Sequence, residues 1–111
     1  MDDHILTTIK QMLGYEESYT PFDTELAVHI NGALMRLCQL GVGPSEGFTI
    51  GIDYKEKWSD LIGSSKDLEG VKNYIYLRTK LVFDPPTSSS VIEAMKEQLK
   101  EYEWCVNVQV D

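Results

Sequence analysis

The stretch Asp67–Glu103, DLEGVKNYIYLRTKLVFDPPTSSSVIEAMKEQLKEYE, decides the fold. Leu68, Val71, Tyr74, Ile75, Leu81 and Val82 recur at the spacing of one helix face, which predicts a helix from about Asp67 to Phe83. Asp84-Pro85-Pro86 ends it, because proline lacks the amide donor and biases the residue before it to extended geometry. Thr87 to Ser90 offer caps, and Ser90 with Glu93 fits a capping box for a second helix reaching about Glu103. Ile92, Met95, Leu99 and Tyr102 would form its inner face. So short a link folds the two helices into an antiparallel hairpin. Arg78 falls on the apolar stripe, so its guanidinium must reach the edge or meet an acid; it is a candidate interface charge.

Toward the N-terminus, Ile5, Leu6, Ile9, Met12 and Leu13 predict a helix over about Asp3 to Leu13, capped by Asp2 or Asp3 and stopped by Gly14. A longer helix is expected from Asp23 to Leu40, with Leu26, Ile30, Ala33, Leu34, Leu37 and Cys38 on its apolar face. Asp23 is its expected cap, and Phe22 is placed to staple onto Leu26. Gly32 inside that helix costs about 1 kcal/mol against alanine, which points to close approach by another helix. A short helix is expected around Glu56 to Ile62, with Trp58, Leu61 and Ile62 inward. The expected fold is mainly α: a small antiparallel bundle of four to five helices in one domain, residues 1–103.

Two segments do not fit a bundle. Residues 41–55 hold Pro44 and four glycines, and Phe48, Ile50 and Ile52 alternate with Thr49 and Gly51, which reads as a long extended arm. A loop of this length is more often functional than idle. Residues 104–111 place Trp104, Val106, Val108 and Val110 at period two, a β-like tail with no sheet to join. Such a tail pairs with another chain by strand addition, pairs with residues 48–52, or frays.

The chemistry of a catalytic site is not legible. His4 and His29 lie on separate helices, no glycine loop has the phosphate-binding pattern, and the serine clusters lack a companion base. Glu93, Glu97 and Glu101 interleave with Lys96 and Lys100 as a solvated mixed-charge face. Cys38 and Cys105 are expected to serve as small hydrophobes in apolar surroundings. No catalytic residue, metal ligand or cofactor is therefore expected, and the chain is not read as an enzyme. No apolar run approaches the roughly 20 residues that span a bilayer, and the acidic start is unlike a secretory signal, so a soluble protein made inside the cell is expected. Net charge is −8, with eight acids and two bases in residues 1–54 against ten and eight in residues 55–111. That surface repels a phosphate backbone, which argues against sequence-specific DNA binding.

Several strings in this order resemble the head–tail connector (adaptor) family of tailed bacteriophages, siphophages of Gram-positive hosts. They are Phe22-Asp23-Thr24-Glu25-Leu26 leading to His29-Ile30-Asn31, then Gln39-Leu40-Gly41-Val42-Gly43-Pro44, and Trp58-Ser59-Asp60. Tyr74-Ile75-Tyr76-Leu77 follows, running to Leu81-Val82-Phe83-Asp84-Pro85-Pro86-Thr87-Ser88-Ser89, with Glu93-Ala94-Met95 and Glu101-Tyr102-Glu103-Trp104 after it. The resemblance spans residues 5 to 111. It implies a virion structural protein at the neck, made in the host cytoplasm and assembled as a dodecameric ring under the portal protein. Such a ring extends the DNA channel, lets double-stranded DNA pass without sequence-specific binding, and offers an attachment surface to a stopper or tail-completion protein. It further implies a portal-docking tail at Trp104, Val106, Val108 and Val110, and a loop contacting neighbours or the stopper at Pro44, Phe48, Ile50 and Ile52. An acidic regulatory partner, antitoxin-like or a DNA mimic, is the competing reading; it would account for the charge but not for the central arm. A small enzyme completed only across a subunit interface is a third, weaker one.

Overall fold

A computed structural model describes residues 4–16, 18–40, 48–51, 55–62 and 68–110, with only the backbone for 59, 62, 68 and 106–110. Among these residues the chain forms five helices: α1 (Ile5–Met12), α2 (Asp23–Gln39), α3 (Trp58–Ile62), α4 (Leu68–Phe83) and α5 (Ser89–Val110). The expected helical bundle is the fold. Its core gathers Ile5, Leu6 and Ile9 of α1, Leu26, Ile30, Leu34 and Leu37 of α2, Trp58 and Leu61 of α3, Val71, Tyr74 and Ile75 of α4, and Met95 and Leu99 of α5.

α1 starts at His4 without a side-chain cap. Its first amide instead bonds Glu56 O at 3.0 Å, and His4 pairs with Lys57 in an isolated antiparallel bridge. Asp2 and Asp3, the expected caps, lie outside the described residues. Gly14 stops the helix as expected, at φ +95°, where only glycine is unstrained. Tyr15 N donates to Lys10 O at 2.9 Å and Gly14 N to Gln11 O at 3.1 Å, the paired bonds of a Schellman cap.

In α2 the cap is Phe22, not Asp23. Asp23 stands one residue inside, where its carboxylate is 2.9 Å from the Lys10 ammonium of α1. That position still suits the positive end of the helix dipole. The ring of Phe22 joins those of Tyr15, Tyr19 and Phe83. Gly32 also departs from expectation: it is exposed, and a Cβ there would meet nothing within 4 Å. No close helix approach within the described chain explains it.

α3 is pinned at both ends of its first turn. Lys57 N donates to Asp60 Oδ2 at 2.9 Å while Asp60 N returns to Lys57 O at 3.0 Å. Buried Trp58 donates its indole N–H to Thr8 Oγ1 at 3.0 Å, tying α3 to α1.

α4 packs chiefly on α2 and then on α5, the hairpin expected across Asp84-Pro85-Pro86. Covered from two sides, it buries a wider arc than one stripe, so Leu77 and Thr79 are buried as well. Val82 departs from the expected stripe and is 62% exposed on the last turn. The cap of α5 is Ser88, one of the offered caps but two residues before the Ser90 of the expected capping box: Val91 N donates to Ser88 Oγ at 3.4 Å and Ile92 N to Ser88 O at 3.1 Å. Glu93, expected in a capping box, faces Lys96 instead.

The C-terminal segment is the main correction. Residues 104–110 continue α5 and are not a β-like tail. The valine alternation favours a strand only where a neighbouring strand accepts its backbone bonds. None of the described residues forms a strand that could do so. No glycine or proline interrupts 104–110, so each added residue closes its own bond at a small propensity cost, and the helix propagates.

Candidate functional site

Among the described residues, several polar groups converge on Glu103, toward the end of α5. Tyr74 points from α4 with its ring buried and 5.2 Å from Tyr102 of α5, centroid to centroid. Its hydroxyl donates to Glu103 Oε2 at 2.6 Å. Glu103 Oε1 accepts from Arg36 Nη2 of α2 at 3.0 Å, and Arg78 Nη1 of α4 lies 3.7 Å from Oε2 and 3.3 Å from the Tyr74 oxygen. One carboxylate thus collects three helices. Burial alone would raise the Glu103 carboxyl, but hydrogen bonds from Tyr74 and Arg36 and the charges of Arg36 and Arg78 outweigh it and hold the group below the usual carboxylate range. Burial, reinforced by the bond to Glu103 and opposed by Arg78, pushes the Tyr74 hydroxyl up to about 12. The bond to Glu103, followed by its charge, raises the Arg36 guanidinium further. These shifts belong to a structural ion-pair network: every polar atom named is directed at another side chain of the cluster.

Arg78, the expected interface charge, is therefore engaged within the chain. The residue that makes the cluster, Glu103, had no separate signal in the sequence. Tyr74 and Arg78 on one stripe indicated that an acid should be near, but not which.

Trp104 is 67% exposed and Cys105 is exposed, so the expectation of apolar surroundings fails at Cys105; Cys38 is half-buried. Val106, Val108 and Val110 lie on the helical backbone of α5, and their side chains are outside the described residues. An open groove between α4 and α5 is lined by Asn73, Gln98, Glu101, Tyr102 and Cys105.

The expected contact loop is visible only in part. Pro44 and Ile52 lie outside the described residues. Phe48 is half-buried against the core and Ile50 is buried within it. Asn31 of α2 holds this segment as a strand neighbour would, accepting from Ile50 N at 2.6 Å and donating Nδ2 to Ile50 O at 3.2 Å. Ile50 therefore serves as an anchor in the single chain, a role that its alternation with Phe48 did not reveal.

Among the described residues, no group of three or more His, Cys, Asp or Glu could hold a metal ion. No helix searched is long and apolar enough to cross a membrane. The family model described as Phage connector protein matches residues 5–111. The chain belongs to this family. Comparison with curated proteins and with solved structures finds no match. The connector family is structural rather than enzymatic, and it makes the protein a component of the phage virion that interacts with other head or tail proteins. The match covers all five helices, so Glu103 and Trp104 lie inside the family's own span.

Proposed function

We propose that the protein is a head–tail connector subunit that docks beneath the portal as a member of a ring, most simply a dodecamer, at the virion neck. The ring lengthens the DNA channel and gives the stopper or tail-completion protein its seat. The observation that carries this reading is the family match along residues 5–111. Two features of the chain support it. Trp104 stands uncovered on α5 next to the Glu103 cluster, and buried tryptophan is a frequent anchor at protein interfaces. A net charge of −8 suits a wall past which DNA slides without sticking.

The docking element is the end of α5, Trp104 with the segment of Val106, Val108 and Val110, presented as a helix rather than as an added strand. Weak docking by one such helix, repeated around a ring, becomes firm through effective concentration. The loop bearing Pro44, Phe48 and Ile52 is assigned to contacts with neighbours or the stopper. Purified portal mixed with full-length protein, viewed by negative-stain microscopy and measured by light scattering, tests the assignment. Wild type is expected to add a ring to the portal, and Trp104→Asp is expected to remain folded by circular dichroism but stay unbound. Undiminished docking of Trp104→Asp, or of a chain lacking residues 104–111, would sink the role given to this helix end.

A further inference from the structure

A second surface lies away from the end of α5. Tyr15 and Tyr19, on the link between α1 and α2, stack at 5.6 Å with planes 7° apart. Phe22 at the start of α2 lies 6.0 Å from Tyr15 and 5.8 Å from Tyr19. Phe83, at the end of α4, meets Phe22 edge-on at 5.3 Å and Tyr15 at 6.2 Å. The rings are joined to one another and only partly covered, with Tyr19 43% and Phe22 37% exposed. Apolar rings gathered at a surface, rather than scattered singly, mark an interaction site.

Among the described charged residues next to the rings in the chain, acids outnumber bases: Asp23 is paired with Lys10 and Asp84 with Lys80, and Glu16 and Glu25 stand beyond those pairs. Glu16 follows Tyr15 in the chain and its carbonyl accepts the Tyr19 amide at 3.0 Å. Glu25 stands in the first turn of α2 and Asp84 directly follows Phe83; all three acids are exposed. Asp84 has Lys80 at 3.7 Å, whereas among the described residues Glu16 and Glu25 have no ion-pair partner. Electron-rich ring faces and unbalanced carboxylates both attract a cation, and a guanidinium satisfies both by stacking on a ring while bonding an acid at its edge.

We propose that Tyr15, Tyr19, Phe22 and Phe83, rimmed by Glu16, Glu25 and Asp84, form a docking site for an arginine-bearing segment of another protein. This inference does not depend on the portal assignment, and its test needs no portal.

The full-length protein is titrated at low salt with the acetylated amide of Gly-Arg-Gly-Arg-Gly while the aromatic resonances are followed by NMR. Its citrulline counterpart, matched in shape but uncharged, is the control. Saturable shifts are expected on the rings of Tyr15, Tyr19 and Phe22, with the arginine peptide binding at least about threefold more tightly than the citrulline one. Salt should weaken the binding, Glu16→Gln with Glu25→Gln should weaken it severalfold, and Tyr19→Ala should weaken it with the fold intact by circular dichroism. Equal binding of the citrulline peptide overturns the proposal. So do shifts spread over the whole acidic surface, no saturable shift at millimolar peptide, or rings already covered by self-association.

Discussion

Tyr74 of α4 donates a 2.6 Å hydrogen bond to Glu103 of α5, and that bond ties the two helices of the hairpin together near the end of α5. Its pH dependence follows from two opposite shifts. The Tyr74 hydroxyl is raised to about 12, against about 10 in an unfolded chain, so its contribution is whole below pH 10 and is lost as pH rises toward 12. The Glu103 carboxyl is lowered, so its contribution is whole above the unfolded value near 4.3 and is lost as pH falls through its lower folded value. Urea unfolding across pH should show Tyr74→Phe flattening the alkaline loss and Glu103→Gln flattening the acid one. At pH 7, Tyr74→Phe should cost about 1 kcal/mol and Glu103→Gln about 2 kcal/mol. Unchanged slopes in both variants would remove the network from the stability account.

Lys10 and Asp23 join α1 to α2 with the lysine side chain only 4% exposed. Lys10→Met leaves a nearly buried carboxylate without its ammonium and should cost about 3 kcal/mol. Adding Asp23→Leu should return most of that loss, because the charge left behind is then gone. A double-mutant cycle by chemical unfolding measures it, and simple additivity would count against the coupling.

Asn31 clasps both backbone groups of Ile50. Asn31→Ala should expose or orphan them at a cost of about 2 kcal/mol and release the Ile50 amide to hydrogen exchange. Protection of that amide equal to wild type would show that another group holds the segment.

Gly32 sits on the exposed side of α2 with open space where a Cβ would go. Gly32→Ala should therefore stabilise the free protein by about 1 kcal/mol, with a melting temperature higher by roughly 4 °C. A lower melting temperature would mean the helix surface is less open than it looks.

The helices were legible because their apolar residues keep one period and their breaks carry glycine or proline, as at Gly14 and Asp84-Pro85-Pro86. What escaped was anything set by a partner distant in the chain. Lys10 looks like an ordinary solvated lysine until Asp23 is packed against it. Arg36 and Glu103 are 67 residues apart, and nothing local in either announces the other. The valines after Trp104 failed for the converse reason. Their alternation is a true local preference, but a strand requires a partner, while a helix already under way requires none. The cap of α5 moved from Ser90 to Ser88 because three consecutive serines compete on nearly equal terms.

The tie between Trp58 and Thr8 spans 50 residues, and the opening amide of α1 relies on Glu56. On the ribosome, where synthesis runs at about 5–20 residues per second, the first helix must wait several seconds for the groups that complete it. During that interval Ile5, Leu6 and Ile9 are open to chaperones or to a neighbouring nascent chain. The chain has to be made as far as Trp58 before α1 can settle.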